Sequence, residues 1–151
     1  MNKAPEFTLQ NTQGEKVSLT DFKGDQNVVL LFFPLAFSGV CTKELCSTRD
    51  NMKIYESLNA KVLAISVDSF FTLNAFKESH NLNFTLLSDF NKEVSKTYDT
   101  LYDDFYGMQG VAKRSVFVIN KQGKVEHKEI LEDADQIPDL NKVQEVLAEL
   151  E

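Results

Sequence analysis

Three short, dense apolar runs constrain this chain more than any other feature. They are Val28-Val29-Leu30-Leu31-Phe32-Phe33, Val62-Leu63-Ala64-Ile65-Ser66-Val67 and Ser115-Val116-Phe117-Val118-Ile119. Each is rich in β-branched or aromatic residues and too short for a helix, so each reads as a strand buried on both faces. Helical patterns over 41–58 and 69–80 separate them, with a strand-like Phe84-Thr85-Leu86-Leu87 and a short helix near 91–98 before the third run. With 151 residues, 42% apolar and 26% charged, the chain has ordinary globular composition and is expected to form one domain across 1–151.

The ends read differently from the middle. Asn120-Lys121-Gln122-Gly123 separates two strand patterns, and Asn11-Thr12-Gln13-Gly14 does the same between 7–9 and 16–18, so both read as hairpins with glycine in the turn. A last helix is expected after Pro138, with Leu140, Val143, Val146 and Leu147 at helical spacing. Parallel crossovers in the middle and antiparallel hairpins at the ends make an α/β fold with a central mixed sheet flanked by helices. That arrangement fits a thioredoxin-like layer structure better than a purely parallel doubly wound one.

Charge narrows the function. Sixteen Lys+Arg against 23 Asp+Glu give −7, which repels phosphate backbones and anionic lipid surfaces, so neither nucleic acid nor membrane is an expected partner. The longest apolar stretch, 28–37, is ten residues and holds Pro34, too short to span a bilayer. Residues 1–6 carry no apolar run or small-residue cleavage site, so no leader is expected, and a cytoplasmic protein is the reading. Two cysteines, Cys41 and Cys46, are too few for a disulfide-stapled fold. In a reducing compartment a close pair points to redox chemistry or metal, and His80 and His127 lie too far off in sequence to complete a zinc set. There is no phosphate-binding glycine motif, and no metal, haem or flavin is expected.

The chemistry concentrates in the segment 33–46, Phe-Pro-Leu-Ala-Phe-Ser-Gly-Val-Cys-Thr-Lys-Glu-Leu-Cys. Pro34 cannot donate a ladder hydrogen bond, so the first buried strand stops before it. A short loop then leads to a helix on which Cys41, Leu45, Thr48, Met52 and Tyr55 form one stripe toward the sheet. Cys46, Arg49, Lys53 and Glu56 occupy the wetter face. Cys41 therefore falls in the first turn, where unpaired N–H groups stabilise an anion, and the Ser38 hydroxyl is within reach of the same sulfur. A lowered thiol pKa is expected. Ionisation alone gains only about 30-fold, since a free thiol is already about 3% thiolate at pH 7. The larger effect must come from gripping the electrophile. The chain has two arginines. Arg49 lies two turns away on the outer helix face, whereas Arg114 stands before the third run, where its forked side chain can project over the sheet end.

The pattern Pro34-x-x-x-Ser38-x-x-Cys41, with Glu44 three residues later and Arg114 before a strand, resembles the peroxiredoxin signature. The resemblance runs from Ala4-Pro5-Glu6-Phe7 to the last helix, and departs from the usual pattern in having Ser38 where threonine is commoner. It implies that Cys41 attacks a peroxide oxygen, that Ser38 and Arg114 orient the peroxide, that Pro34 shields the sulfur, and that Glu44 fixes the arginine. It also implies a hydroperoxide substrate and a thioredoxin-like or other dithiol reductant. The five-residue spacing to Cys46 is similar to the bacterioferritin-comigratory (Q-type) branch, where that position resolves the sulfenic acid. The run 34–37 followed by Gly39 looks more like the one-cysteine alkyl hydroperoxide reductase E branch. On an intact helix, residues five apart have Cα atoms roughly 8–9 Å apart. A disulfide tolerates about 7 Å at most, so a Cys41–Cys46 bond requires the helix to unwind over residues 40–48.

Plainer readings stand beside these. Cys41 could be a small core residue, Cys46 an idle thiol, Arg114 a surface ion-pair partner and Ser38 a helix cap. A thiol–disulfide oxidoreductase is a second functional reading, although that class prefers C-x-x-C; a non-catalytic peroxide sensor or holdase is a third. The run Glu132-Asp133-Ala134-Asp135 reads as a solvated loop, and the aromatics Phe37, Phe70, Phe71, Phe105 and Tyr106 as a homodimer face or pocket lining.

Overall fold

The computed structural model describes residues 2–150; Met1 and Glu151, the ends of the single domain expected over 1–151 and, for Met1, of the leader-free opening, lie outside them. Strands β1 (Thr8–Asn11), β2 (Lys16–Ser18), β3 (Asn27–Phe32), β4 (Ala60–Ser66), β5 (Thr85–Ser88), β8 (Ser115–Ile119) and β9 (Val125–Ile130) form one sheet in the order β2-β1-β5-β4-β3-β8-β9. A two-residue pair, β6 (Leu101–Tyr102) and β7 (Val111–Ala112), makes a separate ribbon that the sequence reading did not anticipate. The helices are α1 (Gly39–Asp50), α2 (Met52–Ser57), α3 (Phe70–His80), α4 (Glu93–Thr97) and α5 (Leu140–Glu149). The expected mixed α/β sheet flanked by helices is present: β3, β4 and β5 pair in parallel, and β1–β2, β1–β5, β3–β8 and β8–β9 pair antiparallel. Among the described residues no helix is long and apolar enough to cross a membrane.

The three apolar runs are dense because both sheet faces are covered, and their side chains alternate between two cores with the two-residue period of a strand. Val29, Leu31 and Phe33, with Val62, Ala64, Val116 and Val118, face the layer that contains Leu45, Tyr55, Leu73, Phe76, Val143 and Leu147. Val28, Leu30 and Phe32, with Leu63, Ile65 and Phe117, face the opposite layer, which holds Ala4, Phe7, Val94 and Tyr98. Helices α1, α2, α3 and α5 thus share one face, while α4 and the amino-terminal segment cover the other.

The continuous helix expected over 41–58 is two helices. Asn51 leaves helical geometry at φ −106° and ψ 11°, and its side-chain amide donates to the Ser47 carbonyl at 3.0 Å. Asp50 and Asn51 both favour local side-chain bonds over helix continuation, which gives the break its cause. The stripe nevertheless continues across it: Cys41, Leu45, Thr48, Met52 and Tyr55 are all buried.

One topological relation places the chemistry. Strand β8 runs antiparallel to β3, with Ser115 opposite Phe32. The residues just after β3 and just before β8 therefore lie at the same end of the sheet. Pro34 to Cys41 leaves from that end, and Arg114 enters there.

Candidate active site

Cys41 is the third residue of α1 and has no exposed surface. The strand before it ends at Phe32, and Pro34 is buried in the turn that follows. Arg114 is 1% exposed and spends its whole guanidinium on three partners. Its Nη2 donates to Cys41 Sγ at 3.2 Å, its Nη1 to Glu44 Oε1 at 2.8 Å, and its Nε to the Ala134 carbonyl at 3.0 Å. Cys41 and Glu44, three residues apart on α1, present adjacent acids to one cation.

The electrostatics follow from this crowding. Burial works against the charge on Arg114, but the Cys41 sulfur and the Glu44 carboxylate outweigh it and hold the guanidinium above its ordinary value. Burial pushes the Glu44 carboxyl up to about 7, against the opposing pull of Arg114. Its second oxygen, Oε2, is buried without a hydrogen-bond partner. One fixed positive charge thus faces two groups that can each become an anion, in a place from which water is excluded.

The loop between β3 and α1 has its own support. The Asp68 carboxylate, just past β4, accepts from the Ala36 N–H at 2.8 Å and from the Ser66 hydroxyl at 2.7 Å. Burial raises the Asp68 pKa, partly countered by these two bonds. Asp68 was absent from the sequence reading; its position one residue beyond the second apolar run, at the same sheet end as Pro34, was the available signal.

Comparisons with known proteins fit this arrangement. Residues 1–128 match the AhpC/TSA family. The chain is 40% identical over 127 residues to Peroxiredoxin Bcp of Escherichia coli K12, covering 82% of this chain and 80% of that protein. The chain belongs to the AhpC/TSA family, the peroxiredoxins. It is also 37% identical over 139 residues to the chloroplastic 2-Cys peroxiredoxin BAS1 of Spinacia oleracea, covering 85% of this chain. The chain spans about half (51%) of the length of that relative and of its Arabidopsis thaliana counterpart. Among solved structures, peroxidoxin BcpB from Mycobacterium tuberculosis superposes with a TM-score of 0.88 at 28% identity, covering 99% of this chain and 96% of that one. The reduced 2-Cys peroxiredoxin of Plasmodium vivax gives 0.86 at 29% identity, covering 97% and 78%. The family resemblance read from the Pro34–Cys41 pattern, including its Bcp-like side, is therefore correct.

Within this peroxiredoxin fold, Cys41, Arg114 and Glu44 meet directly and Pro34 is buried at the start of their loop. Ser38 departs from expectation. Its hydroxyl donates to the Leu35 carbonyl at 2.9 Å rather than to the Cys41 sulfur. It occupies the N-cap position of α1, but its side chain caps no N–H there. The tight turn 35–38 offers a nearer acceptor than the sulfur does, and the short hydroxyl takes it. Cys46 is half-buried on the outer side of α1, and both cysteines are free thiols in the intact helix. The run 132–135 is more than a solvated loop: its acidic side chains are exposed, yet its Ala134 carbonyl holds Arg114. Beside it, Tyr102, Phe105 and Tyr106 line a cleft of about 210 Å³.

Proposed function

We propose that the protein is a thiol peroxidase that reduces hydrogen peroxide or small alkyl hydroperoxides. The observation that carries this reading is the 3.2 Å contact between Arg114 Nη2 and Cys41 Sγ, made by a guanidinium whose other nitrogens are already held. A buried, cation-paired sulfur at a helix amino terminus is set up to react as thiolate. Having no exposed surface, Cys41 favours an electrophile the size of a peroxide over a protein disulfide. That weighs against the thiol–disulfide oxidoreductase reading.

In the reaction the Cys41 thiolate attacks the terminal peroxide oxygen. An S–O bond forms as the O–O bond breaks, and hydroxide or alkoxide leaves and takes up a proton as water or alcohol. Arg114 stabilises the charge that develops on the departing oxygen. Glu44 keeps the guanidinium in place, and Pro34 excludes water. Ser38, with its hydroxyl now on Leu35, reorients toward the peroxide when one binds. Cys46 then displaces the sulfenic oxygen after α1 unwinds, and a thioredoxin-like dithiol protein reduces the disulfide. The setting is cytoplasmic, 1–151 acts as one unit, and the exposed aromatics Phe71 and Tyr106 are candidates for a homodimer face.

Rapid mixing with peroxide tests this reading. Cys41→Ser should abolish oxidation, and Arg114→Ala should slow it roughly 100- to 1,000-fold, as for loss of one transition-state donor. Cys46→Ser should retain the oxidation step and lose recycling by a dithiol protein. Unchanged oxidation in Arg114→Ala would overturn the reading.

A further inference from the structure

Helix α1 is a weak helix held in place by its neighbours. Gly39, Val40, Thr42, Ser47 and Thr48 are poor helix formers, and the Thr42 and Thr48 hydroxyls bond back to the Ser38 and Glu44 carbonyls. Its first turn has neither a side-chain cap nor an acidic residue. It ends at the Asn51 break, so unwinding need not propagate into α2. What opposes unwinding on the outer face is the carboxyl end of α3. Arg49 Nη1 donates to the His80 carbonyl, the last of α3, at 2.6 Å. There a cation meets an unpaired, partly negative helix terminus. Ahead of α1, the Phe37 ring packs edge-on against Phe76 at 5.0 Å and tilted against His80 at 6.4 Å. Phe37 stands at φ +69°, a left-handed backbone that an aromatic residue keeps only where its surroundings hold it. The two attachments bracket the half-buried Cys46 in sequence, and both converge on His80.

We infer that the carboxyl end of α3 is a latch on α1, and that release of Arg49 and Phe37 from it sets how fast Cys46 reaches oxidised Cys41. This rests on the reading of Cys46 as the resolving thiol. In the gated step the Cys46 sulfur attacks the Cys41 sulfenic sulfur. An S–S bond forms, the S–O bond breaks, and the hydroxyl leaves with the Cys46 proton as water. The oxidation first carried by Cys41 is then shared between the two sulfurs. Arg49 is accordingly a positioning residue, remote from the reacting peroxide.

The test is a pulse of one equivalent of hydrogen peroxide, with thiol-alkylating quench and intact-mass analysis over time, on wild type, Arg49→Met and His80→Ala. Arg49→Met removes the bond to the carbonyl while keeping an unbranched side chain. His80→Ala keeps that carbonyl and removes the ring against Phe37. Sulfenic acid formation should be unchanged in both, and disulfide formation roughly fivefold faster in each, the scale of one lost charge-assisted hydrogen bond. In the reduced proteins, amide hydrogen exchange over residues 40–48 should rise while exchange in β3 and β4 stays at the wild-type level. Acceleration in either variant, with faster exchange in α1, supports the latch. Rates no faster than wild type in both variants, in a wild type that does form the disulfide, overturn the latch alone. A wild type that never forms the disulfide and retains one added oxygen overturns the resolving role of Cys46, and the latch with it.

Discussion

At the residue scale, the notable quantity is the charge balance around Arg114. One guanidinium serves both the Cys41 sulfur and Glu44, and the Glu44 carboxyl is raised to about 7 from an ordinary 4.5, chiefly by burial. Because its folded pKa is raised, the folded state binds the extra proton between pH 4.5 and 7. The Glu44 contribution to stability is therefore full below pH 4.5 and is lost as pH rises through 7. The loss is on the order of 3 kcal/mol at one pH unit per 1.36 kcal/mol. Urea unfolding of reduced protein at pH 5 and pH 8 should show wild type losing stability across this range relative to Glu44→Gln, which has no carboxyl to ionise. Equal pH slopes in the two proteins would show that Glu44 titrates at its ordinary value. Glu44 and Arg114 were both legible in the sequence through their spacing from Cys41 and from the third apolar run. The direction of the Ser38 hydroxyl was not, because sulfur and carbonyl are alternative acceptors that only the turn's backbone path decides between.

At the scale of elements, the site is assembled from parts that each contribute little alone. The loop 33–38 is held to the end of β4 by the Asp68 carboxylate through the Ala36 N–H. The Asp68 carbonyl in turn accepts from the Ser88 hydroxyl at 2.6 Å, which ties in β5. Asp68→Ala should leave the sheet intact and lower stability by about 1–2 kcal/mol. It should slow Cys41 oxidation roughly ten- to a hundredfold, since a loop displaced by about 1 Å misplaces the oxidant. Stopped-flow oxidation beside urea unfolding separates the two effects; wild-type oxidation rates in this variant would show that the tether does not position the loop. The stripe on α1 and α2 was readable from helical spacing, and it runs through the Asn51 break because the two helices remain in register against the same core. The break itself lay in local competition between side-chain and backbone bonds. The β6–β7 ribbon was missed because two-residue strands have no periodicity to detect.

At the scale of the whole molecule, the two cores have different tasks. The layer containing Leu45, Leu73, Phe76, Val143 and Leu147 carries Cys41, whereas the opposite layer is tied across the back by the Tyr98 hydroxyl donating to the Pro5 carbonyl at 2.6 Å. Leu147 is fully buried where α5 closes the first layer. Leu147→Ala should cost about 2–5 kcal/mol, read from the urea midpoint, and leave the rate of Cys41 oxidation at the wild-type value. A large loss of oxidation at a temperature where the variant is folded would mean that α5 takes part in shaping the site. By itself the sequence determined the mixed sheet, the buried strands, the cysteine at a helix start and the family, because two-residue and 3.6-residue periodicities, turn residues and one short motif are local properties. The meeting of Cys41 with Arg114, 73 positions apart, was decided by the antiparallel register of β8 against β3, which brings the end of one strand beside the start of the other. The third partner of Arg114, the Ala134 carbonyl, was likewise set by tertiary structure. A backbone acceptor has no signature in amino-acid identity, so only the folded chain could show that an exposed acidic loop holds the arginine of the site.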